Sequence, residues 1–124
     1  MMVITKKATL QELGDFKASA SMLKNAAAAI AILTDSEMAP GTHRQDGCIA
    51  ATYVLLAAQD HGVGACWVNV NSAGEEAIQQ VHRILELEER WNVEALISLG
   101  YPGEDRGPKE PRSIAERLKW VTEE

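Results

Sequence analysis

The chain has 124 residues, 46% of them hydrophobic and 24% charged, and carries a net charge of −6 at pH 7. One domain of this size hides roughly two-thirds of its unfolded surface without needing disulfides. The acid excess argues against nucleic acid or an anionic membrane as partner, since both need a basic face.

The chain opens on "MMVIT", which is apolar and extended from the first residues, so Met2 to Thr5 reads as a strand. "TLQE", Thr9 to Glu12, fits a capping box and predicts a helix from about Leu10 to Lys24. "AAIAILTD" follows as a short buried strand over Ala28 to Thr34; alanine is a poor strand former, so a helix also fits there on propensity. "SEMAPGTHRQ" is a polar loop with Pro-Gly punctuation.

Asp46 to His61 reads as a helix whose apolar and small residues cover almost its whole circumference. In so small a chain, that pattern predicts a second subunit to cover it. Gly62 is placed to end the helix in a left-handed conformation, and "ACWVNV" then reads as a strand. "SAGE", Ser72 to Glu75, is a second capping box and opens a helix to about His82. Val93 to Leu99 is the clearest strand, stopped by Gly100 and Pro102. A charged segment leads to a third box, "SIAE" at Ser113 to Glu116, and a short terminal helix. Alternating strands and helices would suit a parallel doubly wound sheet. Gly62 and Gly64, however, precede a strand and do not open a helix, which argues against a dinucleotide fingerprint.

Most candidates for chemistry have ordinary explanations. Glu75/Glu76 and Glu88/Glu89 are adjacent, and on a helix such neighbours diverge by about 100° and face no common substrate. His43, His61 and His82 share no ligand spacing with each other or with Cys48 and Cys66, so no metal site is expected. Two cysteines are too few for a disulfide framework and point to a reducing cytoplasm. The longest apolar run, Ala26 to Leu33, falls short of the ~20 residues that span a bilayer; no export signal is evident at the start.

Two segments are less ordinary. "GVGACW" combines two glycines and an alanine, which leaves backbone groups open to a flat ligand; a helix cap followed by a core strand would explain it equally. "RGPKEPR", within the cluster Arg106, Lys109, Arg112, Arg117 and Lys119, is basic in an acidic chain and suits a phosphate, although a solvated charge run would look the same.

Taken in order, "CIAATYVLLAAQDHGVGACWV", "VEALISLGYPGE" and "PKEPRSI" resemble the nitroreductase family of FMN-dependent flavoproteins. Upstream, "MMVITKKATLQEL" and "NAAAAIAILTD" are similar to the family's strand, helix and strand. The resemblance implies an α+β fold, an α-β-α sandwich forming an intertwined homodimer with FMN at the subunit interface. It implies an oxidoreductase whose flavin takes electrons from NAD(P)H and passes them to a nitro compound, quinone or similar small-molecule acceptor. Gly64, Ala65, Cys66 and Trp67 correspond to the segment beside the flavin ring, and Lys109 and Arg112 to the basic residues that hold its phosphate. Asp46 to His61 corresponds to the central helix of the dimer. No side chain is expected as acid, base or nucleophile.

The resemblance begins after a family segment that bears an Arg-rich, serine-containing phosphate motif, which implies one domain over 1–124, N-terminally truncated relative to the family. Asn69 stands where members often keep an acidic residue. The competing expectation is a flavin-free dimeric binding or scaffold protein of the same fold. A metal-dependent hydrolase comes third.

Overall fold

A computed structural model describes residues 1–105 and 107–122. Four strands, β1 (Met2–Ile4), β2 (Ala28–Asp35), β3 (Gly64–Asn69) and β4 (Trp91–Gly100), form one sheet in the order β1-β2-β4-β3. Every neighbouring pair is antiparallel, which removes the doubly wound alternative. Three α-helices, α1 (Lys7–Leu13), α2 (His43–Asp60) and α3 (Glu75–Leu85), complete the fold with a 3-10 segment over Ala18–Asn25.

Strand side chains alternate between faces, and the two faces build separate cores. On one, Ala29, Ala31, Leu96 and Val68 meet Leu10 and Leu13 of α1, Leu23 of the 3-10 segment, and Val81 and Leu85 of α3. On the other, Ile32, Ala95 and Ile97 meet Ala51 of α2, with Val54, Leu55, Ala65 and Trp67 packed around them. The sheet is therefore the middle layer of an α-β-α sandwich, as expected. Leu96 and Ile97 are fully buried on opposite faces, and each such side chain contributes about 1.5–3 kcal/mol.

The expected helix from Leu10 to Lys24 is instead two pieces. α1 ends at Leu13, and the chain turns back so that Lys24 crosses directly over Gly14, where any Cβ would collide with it. Gln11 Nε2 donates to the Lys24 carbonyl at 2.8 Å and Lys24 pairs with Asp15, which ties the two pieces together. Leu13, Phe16, Ala20 and Leu23 all reach one core across this reversal.

None of the three capping boxes forms. Thr9 lies inside α1, Gly74 takes the N-cap of α3, and Ser113 makes no side-chain cap at Ile114–Glu116, a single 3-10 turn where a terminal helix was expected. α2 begins three residues before its expected start, α3 runs on to Leu85, and β4 begins at Trp91.

α2 lies on the sheet by one narrow strip, with only Gly47 and Ala51 buried. Ile49 (57%), Tyr53 (70%) and Leu56 (62%) form an outward apolar stripe. The burial on most sides that its composition suggested is thus not supplied by this chain alone.

Candidate functional site

The "GVGACW" segment is where α2 becomes β3. Gly62 has φ +67°, and with it Val63 N–H donates to the Ala58 carbonyl at 2.8 Å and Gly62 N–H to that of Gln59 at 3.1 Å. These are the paired bonds of a Schellman cap. Gly64 is a glycine for a different reason: a Cβ there would stand 2.9 Å from the Gly100 carbonyl oxygen on β4. Both glycines therefore have local explanations that need no ligand.

The rest of the segment still makes a site. β3 is an edge strand, paired only with β4, so its outward backbone groups serve no other strand among the described residues. Its side chains divide: Ala65 and Trp67 pack into the core beneath α2, whereas Cys66 is exposed and opens into a cleft of about 850 Å³. Ser98 Oγ, beside it on β4, donates to the Cys66 carbonyl at 3.4 Å. The cleft is walled by Gly64 to Cys66, by Asn25 and Ala26, by Gln59 at the end of α2, and by Tyr101 to Glu104.

Lys109 lines the same cleft and is the one cation to do so among the described residues. The structure thus brings four of the six expected site residues together, namely Gly64, Ala65, Cys66 and Lys109. Trp67 points away into the core, and Arg112 lies on the exposed terminal segment outside the cleft wall. Arg106, the first cation of the basic cluster, lies outside the described residues. Asn25 and Gln59 were not anticipated; an exposed amide on a turn or helix end carries no periodic signal.

A second polar cluster lies at the far end of α2. Glu94, buried in β4, faces Arg44, Cys48 and Asn92 there. Burial pushes the Cys48 thiol up, and the neighbouring Glu94 carboxylate adds to the effect. At the adjoining end of β2, backbone N–H donors of Met38 and Glu37, together with Arg90 and His43, hold the Asp35 carboxyl below its ordinary value against an opposing desolvation effect. No group of three or more His, Cys, Asp or Glu side chains able to hold a metal occurs among the described residues.

Comparison with known proteins places this geometry. A model of the nitroreductase family matches residues 2–101. A protein of Methanothermobacter thermautotrophicus, provisionally named an NADH dehydrogenase/NAD(P)H nitroreductase, is 32% identical over 110 residues, a stretch that is 87% of this chain and 57% of that protein. A protein of Archaeoglobus fulgidus with the same provisional name is 31% identical over 107 residues, 84% of this chain and 61% of that one. The chain thus spans about three-fifths of the length of these curated relatives. The solved structure of an FMN-dependent nitroreductase from Clostridium difficile R20291 superposes with a TM-score of 0.89 at 27% identity, covering 98% of this chain and 73% of that one.

Proposed function

Because the chain belongs to the nitroreductase family, we propose that residues 1–124 form one nitroreductase-like domain of an FMN-dependent oxidoreductase. The observation that carries this reading is the joint placement of the open β3 edge and Lys109 on one cleft. The cleft's size is in the range of small-molecule and cofactor sites. In a chain of net charge −6, a phosphate needs a local cation, and Lys109 is in place to be one.

Gly64 to Trp67 would flank the flavin ring, mostly through the backbone, with Cys66 the side chain nearest it. Lys109 would neutralise the phosphate through a charge-assisted hydrogen bond. Arg112, three residues further on, is the second cation proposed for the phosphate. When bound, FMN would carry electrons from NAD(P)H to a nitro compound, quinone or similar acceptor. The chain's own contribution is position and electrostatics, with no side chain acting as acid, base or nucleophile.

The outward stripe Ile49, Tyr53 and Leu56 is the natural seat of a homodimer contact, because apolar residues in such a row gain by leaving water. No helix among the described residues is long and apolar enough to cross a membrane. Two free cysteines fit a reducing compartment, and the cytoplasm is the proposed location.

The test is to add FMN to the purified protein, desalt it, and record the visible spectrum and the affinity for FMN. Retention of a flavin band is expected. The double change Lys109→Ala/Arg112→Ala should weaken FMN binding by about tenfold or more, since a hydrogen bond to a charged group is worth about 1.5–3 kcal/mol. Unchanged affinity would remove the phosphate assignment. The local reasons for Gly62 and Gly64 favour a second reading, a flavin-free dimeric binding protein of the same fold. A colourless protein whose melting temperature does not rise with excess FMN would select it.

A further inference from the structure

Glu94 is a carboxylate for which the proposed flavin site has no use. It is 3% exposed and sits inside the buried run Val93–Ser98 of β4, where an unpaired charge would be strongly destabilising. A β-bulge puts it there. Ile32 pairs with Ala95 and Leu33 with Val93, so Glu94 has no partner on β2. Its side chain turns toward α2, where Gly47 lies directly over its Cβ.

Its partners come from α2, β4 and beyond. Arg44 Nε stands 3.5 Å from Oε2, Asn92 Nδ2 donates to the same oxygen at 3.1 Å, and the Cys48 thiol donates to Oε1 at 3.7 Å. Asn92 Nδ2 also donates to Thr34 Oγ1 at 3.1 Å, and that hydroxyl bonds His43 Nδ1 at 2.9 Å. With its amide oriented to satisfy both ends, Asn71 accepts from Arg44 and donates to Asn92 Oδ1 at 2.9 Å. One chain of bonds therefore links β4, β2, the first half of α2 and the β3–α3 connection.

The composition of α2 makes such a device necessary. Apolar or small residues surround nearly the whole helix, so burial alone prefers no single rotation about its axis. The inner strip is Gly47 and Ala51, which allow close approach but interlock little. Directional contacts to a buried charge discriminate where apolar area does not.

We infer that Glu94 is a positioning residue: through Arg44, Cys48 and Asn92 it selects one rotational seating of α2 on the sheet, and with it the stripe Ile49, Tyr53, Leu56 that faces outward. This seating of α2 requires neither FMN nor a partner subunit.

The test replaces the pair by apolar residues, E94L/R44L, and records amide and indole NMR spectra of the full chain beside a thermal melt. Compact folding is retained, while the amides of α2 and the Trp67 indole split into several sets or broaden. A single sharp set with the parent's shifts would overturn the inference, because apolar contacts would then suffice. Should that variant not fold, the near-isosteric Glu94→Gln replaces it, read by hydrogen exchange. Amides of residues 44–50 should exchange about tenfold faster relative to those of β4, whereas uniform acceleration, or none, would overturn it.

Discussion

Gly62→Ala isolates the conformational role of one glycine in the "GVGACW" junction. Gly62 has φ +67° and no atom lies within 4 Å of a Cβ built on it, so the cost of adding a methyl group is backbone strain without steric clash. A residue with a Cβ loses about 1–2 kcal/mol in the left-handed region. Alanine recovers about 0.4–1 kcal/mol of this by reducing the freedom of the unfolded chain, which leaves a net loss near 1 kcal/mol. For a domain of this size that lowers the melting temperature by roughly 3–5 °C. Thermal unfolding followed by far-UV circular dichroism reads the shift directly. Gly62→Asn, which tolerates the left-handed region better, should lose about half as much. FMN affinity, corrected for stability, should be unaffected by either change. An alanine variant as stable as the parent would refute the strain argument, and one that in addition loses FMN affinity would show that Gly62 serves the ligand and not the cap.

Two further outcomes follow from the opposite end of α2. Gly47→Ala should destabilise by about 1–2 kcal/mol, because the new Cβ would stand 2.8 Å from Thr34 Cγ2 and 3.3 Å from Glu94 Cβ, and overpacking of this kind outweighs the ~1 kcal/mol gain in helix propensity. Urea unfolding checks it, and a stabilised variant would mean that α2 lifts from the sheet without cost. Asp35 has a folded-state pKa below its unfolded value, so the folded chain binds that proton less readily than the unfolded one. Its contribution is fully present above the unfolded pKa, near 4, and is lost as pH falls through the lower folded value. Asp35→Asn should flatten the stability profile in that acid window and leave the slope near neutrality unchanged; an unaltered acid limb would remove Asp35 from the account.

The strands were legible because their signal is local. Val93 to Leu99 is a run stopped by Gly100 and Pro102, whereas the alanines of Ala28 to Thr34 also suited a helix; both segments lie inside strands of the structure. Helix ends were legible where the backbone itself forces them, as at Gly62. They were misread where a side chain was expected to do the capping: the helix starts lie away from Thr9 and Ser72, and Ser113 stands at the N-cap but makes no side-chain hydrogen bond there. The break at Gly14 left only a glycine as its trace, and the Lys24 side chain that packs over it arrives from ten residues on.

The cleft was legible in part. The small residues of "GVGACW" and the charge of Lys109 drew notice to segments that meet at the cleft. Yet the physical reason first given to Gly64, room for a ligand, belongs to the Gly100 carbonyl across the strand pair. Asn25 and Gln59 had no pattern to reveal them.

By itself the sequence indicated strands alternating with helices, and the order of its segments resembled that of a nitroreductase. The strands and the end of the long helix follow from composition, period and turn chemistry, which act over a few residues at a time, whereas the family and its α+β sandwich came from the resemblance of the ordered segments. The antiparallel order β1-β2-β4-β3, the buried Glu94 and the exposed side of α2 were decided only by the tertiary structure. Each depends on which distant surfaces meet, and an all-apolar helix or an isolated glutamate in a strand has no local preference that settles it.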